Sequence, residues 1–267
     1  MISRKASLVL LLVITAAIVL ACCLLPRFPQ PLTYHQFADR RGLFGIPNFG
    51  DVFSNLPFAV IGVLGLAFLW QSKSKPDAGH FIDCREQLPY LFVFAGLLLT
   101  ALGSSYYHLN PNNATLVWDR LPMAITFMSM VAAVIMERIS LRGGLWLLPI
   151  LLLVGLGSVA QWNWSELRGA GDLRFYMAVQ AYSVLVVLLA FLFPSRYTRA
   201  GDLGLVVGFY ALAKALETWD KPIFAALGVV SGHTLKHLAA AAAGYCILRM
   251  VQKRQPVSGM PSISDLG

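Results

Sequence analysis

Polar residues are sparse in this chain, and they are grouped. Between the groups lie eight long apolar runs, roughly 7–25, 52–70, 88–107, 117–136, 145–161, 175–193, 203–218 and 228–249. The runs are continuous rather than alternating, which favours helices over barrel strands. A helix that is apolar on every face needs apolar surroundings on every face. The run at 203–218 carries the weakest pattern, because it holds Lys214 and Glu217 and ends at Trp219-Asp220-Lys221-Pro222. The expected architecture is all-α: a polytopic membrane helix bundle, with a seven-helix core plus one extra N-terminal hydrophobic helix.

Composition agrees with that solvent. Of 267 residues, 57% are hydrophobic and 13% charged, and the mean hydropathy is +0.67. A water-soluble domain of this size does not need so much apolar surface. In a bilayer every backbone N–H and C=O must be satisfied within the protein, which again selects helices. The net charge of +8 is spread singly over short loops, with no basic patch interleaved with aromatics, so no nucleic-acid partner is expected. No protein partner is implied either. Cys22, Cys23, Cys84 and Cys246 form no C-x-x-C pair and no disulfide framework.

Three segments follow. Residues 1–29 form a signal anchor or extra transmembrane helix, since Arg4 and Lys5 precede a long apolar run. Val19-Leu20-Ala21-Cys22 resembles a lipoprotein cleavage site, but Leu20 is bulky for its place, and helix length favours an uncleaved anchor. Residues 30–251 form the seven-helix domain. Residues 252–267, with Pro256, Ser258, Gly259, Pro261 and Ser262, read as a disordered cytoplasmic tail. With the N-terminus inside, the inner segments hold twelve Lys and Arg and the outer loops six, leaving Arg120, Lys214 and Lys236 within spans. Positive charge favours the inner face, so both termini are expected in the cytoplasm.

The candidate chemistry sits on histidines. The chain has five, and three of them, His108, His233 and His237, lie in or at the edge of apolar runs. An imidazole there is costly without a partner. His233 and His237 are spaced i, i+4 and share a helix face. Alone, such a pair more often marks surface or core histidines. Under the charge-derived topology all three reach the outer end of their spans, and three imidazoles with a water make the usual open zinc site. Ser104 stands one turn before His108. Its hydroxyl can serve a zinc-held water or a substrate carbonyl, or merely bond a backbone carbonyl one turn back. Asp119 reads either as a first-turn acid favoured by the helix dipole or as a general base and acid beside the metal. Arg120 reads as an interfacial anchor, and Ser105 as packing. Lys236 reads as a snorkelling residue or a support outside the metal shell. Glu217, Asp220 and Lys221 read as a solvated loop end, and His35 and His80 as loop residues without a pattern.

Ser104-x-x-x-His108, Asp119 in Trp-Asp-Arg-Leu-Pro-Met, and His233-x-x-x-His237 resemble the alkaline ceramidases, within the CREST superfamily of seven-helix membrane hydrolases. Phe53-Ser54-Asn55-Leu56-Pro57 is similar to the start of that family's first core helix, and the resemblance covers roughly residues 30–250. It implies zinc held by His108, His233 and His237, proton transfer by Asp119, and Ser104 holding the water or the tetrahedral intermediate. The implied substrate is a membrane lipid, ceramide or another N-acyl lipid. Animal members carry an acidic N-terminal segment that binds calcium. Here that region offers Asp39, Asn48 and Asp51, with Asn48 where a glutamate is expected, which weakens the calcium implication. Short loops and compact ends point to a bacterial inner membrane, where ceramide is often missing and another lipid amide would take its place. Two other classes compete. One is a seven-helix receptor or scaffold whose zinc is structural, which needs a fourth protein ligand and no base. The other is a transporter, which needs internal repeats that this sequence lacks.

Overall fold

Side chains that accept from free backbone N–H groups stand where several apolar runs begin. In a computed structural model, which describes residues 3–74 and 79–257, Asn112 accepts from Ala114 and Thr115 at the start of one helix. Ser140 and Ser231 do the same for two others. Each thereby satisfies donors that the first helical turn leaves open. The helices run α1 Arg4–Leu24, α2 Phe49–Phe53, α3 Leu56–Ser74, α4 Gln87–Leu109, α5 Asn113–Arg138, α6 Leu141–Leu167, α7 Arg174–Leu189, α8 Asp202–Thr218, α9 Asp220–Leu227 and α10 Gly232–Lys253. No strand is present among the described residues.

Among the described residues, six helices are long and apolar enough to cross a membrane, and there is a seventh span if the bent pair α9–α10 counts as one. Two of the eight expected runs therefore behave differently. The 203–218 run becomes α8, whose 17 residues reach only about 26 Å at 1.5 Å per residue, short of a ~30 Å hydrocarbon core. The last run, 228–249, is carried by α10, which is apolar enough to span only together with α9, the short helix before it that meets α10 at 111°. Gly228 (φ +70°) makes that corner possible, because it ends α9 in the left-handed region.

With α1 set aside, seven longer helices among the described residues form the bundle. α5 is its axis, packing against α4, α6 and α7, while α10 packs against α8 and α3. The apolar window of α5 is 72% buried against 11% for α1, which packs on α7 from outside. Arg174 anchors α1, donating to the carbonyls of Cys22 (2.8 Å) and Leu25 (2.6 Å). The expected boundary at residue 29 marks no break in packing. Phe28 O accepts from Leu173 N (3.0 Å), and Gln30 N donates to Glu166 Oε1 (2.6 Å).

The α4–α5 crossing positions the site. Pro122 lies inside α5 and has no N–H, so the carbonyl of Trp118 loses its helical donor. Gly103 of α4 lies against that carbonyl: a Cβ there would stand 2.0 Å from the oxygen. Seven residues earlier, a Cβ on Gly96 would stand 2.3 Å from Thr126 Oγ1. The backbones meet at two glycines, as membrane helices do where small residues permit. That close approach sets Ser104, next to Gly103, against Asp119, next to Trp118.

At the opposite end of the bundle the tail reading needs correction. Residues 252–257 are fixed. Arg254 is 1% exposed, pairs with Glu137, donates to the His80 carbonyl (2.9 Å) and lies over the Tyr197 ring. Thr198 N donates to Gln255 O (2.9 Å), and Val257 N to Arg196 O (3.0 Å). A buried guanidinium with a carboxylate and ring faces around it outweighs the breaking tendency of Pro256. The rest of the expected tail, 258–267, lies outside the described residues.

Candidate metal centre

Helix ends deliver the three histidines. His108 closes α4, while His233 and His237 occupy the first two turns of α10. All three are buried. Ring centroids stand 4.9 Å (His108–His233), 5.0 Å (His108–His237) and 4.9 Å (His233–His237) apart. One nitrogen from each lies within 4.8 Å of the other two. Nitrogens on a tetrahedral zinc stand about 3.4 Å apart, so the rings need only close in slightly on an ion.

Proton counting fixes one ring. Ser54 Oγ donates to the Asp51 carbonyl (3.1 Å) and lies 2.8 Å from His237 Nδ1. A hydroxyl has one proton to give, and with that proton on the Asp51 carbonyl His237 Nδ1 carries the hydrogen of the second contact. The lone pair of His237 then sits on Nε2, and Ser54 orients the ring as an outer partner of a metal ligand does. His108 Nδ1 is buried with no hydrogen-bond partner, while the backbone carbonyl of His108 accepts from Asn48 Nδ2 (2.8 Å). His108 thus carries an unsatisfied ring nitrogen within a cluster of three imidazoles, and histidine nitrogens suit zinc.

Asp220 ties the centre to the chain before it. Its Oδ1 accepts from His233 N and its Oδ2 from Ala38 N, at 2.8 and 2.9 Å. The first contact places a carboxylate on the N-terminal turn of α10, where the helix dipole favours it. A Cβ on Gly232 would meet the Leu216 carbonyl at 2.3 Å, so α10 starts hard against α8. Phe37, on the loop fastened by Asp220, packs on the rings of His108 and His233 at 4.6 and 4.5 Å between centroids.

Beside the histidines a cavity of about 170 Å³ runs into the bundle. Its walls are largely apolar, with Met123, Phe127, Val187 and Val207 among them, and its polar end holds Ser104, Asp119, Lys236 and His237. The Ser104 hydroxyl faces the buried carboxylate of Asp119. Ser105 is more than packing, since its hydroxyl donates to Val52 O (3.2 Å) and ties α4 to α2.

Lys236 takes the supporting place that was one of its two sequence readings, and several other polar residues take places the sequence reading did not assign. Lys236 Nζ lies 3.0 Å from His233 Nε2 and 3.1 Å from Glu217 Oε1. Glu217 also pairs with Lys214 and accepts from Tyr34 OH (3.2 Å). Glu217 and Asp220 therefore belong to the centre rather than to a solvated loop end. His35 has a pattern after all: it bridges Tyr107 OH (2.8 Å) and Asn113 Oδ1 (2.9 Å). Arg120 is no interfacial anchor. It is buried over the rings of Trp162 (4.1 Å) and Tyr176 (4.6 Å) and donates to Gln30 Oε1. The signal available in the sequence was the charge itself, because an ionisable residue inside an apolar run is functional by default.

The three residues considered for calcium share one neighbourhood but are engaged. Arg41 grips Asp39 at 2.8 and 2.7 Å, and its hydrogen bonds hold that carboxyl below the usual carboxylate range. Asn48 gives its amide to His108 O. Asp51 Oδ1 accepts from the Thr234 hydroxyl (2.8 Å), and only Oδ2 is left without a partner. Calcium needs six to eight oxygens, and here it would first have to displace Arg41. Among the described residues, the three histidines are the one group of His, Cys, Asp or Glu side chains arranged to hold a metal.

Comparison with protein-family models and with curated proteins returned no match. The structure shows a helical bundle with helices long and apolar enough to span a membrane and a three-histidine group that could hold a metal.

Proposed function

We propose that this protein is a zinc-dependent membrane amidase that hydrolyses the N-acyl bond of a lipid, ceramide or a related lipid amide. One observation carries the reading: of three buried imidazoles, with no fourth His, Cys, Asp or Glu ligand among the described residues, one, His237, lines an apolar cavity together with the buried carboxylate of Asp119. A structural zinc would close its shell with a fourth protein ligand, whereas a catalytic one keeps a position open. The resemblance to the alkaline ceramidases supports the same reading. When bound there, zinc would acidify a water and polarise a carbonyl.

The chain's own groups do the rest. The apolar wall takes the acyl chain and excludes bulk water. His108, His233 and His237 hold the ion, and Ser54 keeps the His237 ring in its orientation. Water adds to the amide carbon, and Asp119 accepts its proton. Asp119 returns that proton to the nitrogen as the C–N bond breaks, giving a fatty acid and a primary amine. Ser104 orients the Asp119 carboxylate and offers a hydroxyl to the reacting oxygen. Reconstituted in phospholipid vesicles with N-oleoylsphingosine, the protein should release oleate and sphingosine in equal amounts. A chelator should stop the release, and added zinc should restore it. No release from any member of an N-acyl lipid panel, with the metal fully loaded, would sink the amidase reading.

We also propose that the centre faces away from the cytoplasm of a bacterial inner membrane. The excess of Lys and Arg on the other set of loops supports this orientation. With the native cysteines replaced, an Asn110→Cys variant should react with an impermeant thiol reagent on intact spheroplasts. Arg142→Cys should react only after lysis. The opposite pattern would invert the topology and give the enzyme the inner lipid pool.

A further inference from the structure

We propose that Lys236 is a catalytic residue of this centre, its ammonium stabilising the negative charge that develops on the substrate's carbonyl oxygen. The inference rests on the amidase reading and adds a residue to it. Lys236 lies in α10 between two of the histidines, yet its side chain does not snorkel along the helix. It turns into the same cavity end as Ser104, Asp119 and His237. An ammonium has three protons to donate and no lone pair. Glu217 Oε1 takes one at 3.1 Å, and His233 Nε2 lies 3.0 Å away to take a second. The third has no hydrogen-bond partner among the described residues.

A purely structural ion pair between α8 and α10 accounts for less. Glu217 already has Lys214 and Tyr34 as partners, so it does not need Lys236 to be satisfied. A lysine near the start of a membrane helix can lower its cost by reaching for the polar boundary. Here it faces an apolar cavity and a second charge, Asp119. A carboxylate and an ammonium lining one apolar cavity match the needs of amide hydrolysis: a base for the water and a cation for the oxyanion. The His233 contact adds timing. Were a metal ion to take the Nε2 lone pair of His233, the Lys236 donor now resting on it would be released for another acceptor, such as a substrate carbonyl. Glu217 would keep the ammonium in its place, which gives a reason for a buried glutamate on α8.

The test uses full-length Lys236→Met, purified and zinc-loaded, with Lys236→Arg beside it. Lys236→Met should keep its zinc. Its kcat on N-oleoylsphingosine should fall on the order of 10²–10³-fold, the scale of a lost oxyanion donor, with KM little changed. Oleate, the product carboxylate, should bind about tenfold more weakly or worse, read as a dissociation constant without turnover. Lys236→Arg, which keeps the charge, should recover part of both. Wild-type kcat and wild-type oleate affinity in Lys236→Met would overturn the assignment. Loss of zinc from that variant would overturn it too, by making Lys236 a support of the metal site. If the wild-type protein itself released no oleate from any N-acyl lipid, the amidase reading and the catalytic role would fall together. An oleate affinity that still depended on residue 236 would then mark only a carboxylate-binding ammonium.

Discussion

Purified in detergent with zinc present, the protein is expected to hold about one zinc per chain, and His233→Ala or His237→Ala to hold almost none. The expectation follows from what each ring does in the fold. Three neutral imidazoles share one buried point, and one nitrogen of each lies within 4.8 Å of the others. Removing one leaves two ligands on two different helices, too few to hold a zinc ion through purification. The His108→Ala variant should behave alike, because its ring is the third member of the group. Ser54→Ala is the graded control. It removes the hydroxyl 2.8 Å from His237 Nδ1 while leaving the ligand in place, so zinc affinity should fall about 10–100-fold and not vanish. Metal content by elemental analysis, with competition against a chelator, reads all four variants. Full zinc stoichiometry in both His233→Ala and His237→Ala would mean that the ligands are other residues.

Asp119→Asn should keep the zinc and lose most of the turnover, on the order of 10²–10⁴-fold. Asparagine has nearly the shape of aspartate and fits the same buried place beside Ser104, so the α4–α5 crossing at Gly103 and Trp118 should survive. What goes is the ability to accept a proton from water and return it to nitrogen. The fall should appear in kcat with little change in KM, since substrate binding depends on the apolar wall. Ser104→Ala should cost less, because it removes an orienting hydroxyl and leaves the carboxylate. Near-wild-type hydrolysis by Asp119→Asn, with zinc and fold intact, would exclude the proton-transfer role.

Most of the helices were legible because lipid imposes one rule on every residue of a span: the backbone must satisfy itself, and the faces must be apolar. The run around Gly96 and Gly103 therefore had to be α4, whatever its neighbours were. The 203–218 run carried its own warning in Lys214 and Glu217, and it folds into a 17-residue helix. The break between α9 and α10 was harder to see, since Gly228 only permits a corner and the packing of Gly232 against Leu216 and Asp220 makes it.

By itself the sequence determined the solvent, the helical class and the three histidines, each a consequence of residue type and spacing along one chain. An i, i+4 pair must share a helix face, and an imidazole in an apolar run must find company. Only the tertiary structure decided what that company is. Ser54 on His237, Asp220 on the backbone of His233, and Glu217 on Lys236 are contacts between different elements. Arg120 shows the same limit: its neighbours in sequence mark a helix end near the membrane boundary, but Trp162, Tyr176 and Gln30 enclose it. Periodicity tells which face a side chain occupies. Helix crossings, set here by two glycines and a proline, tell which charge stands opposite. In a low-dielectric interior, that opposite charge decides whether an ionisable residue is a liability, a support or a working part.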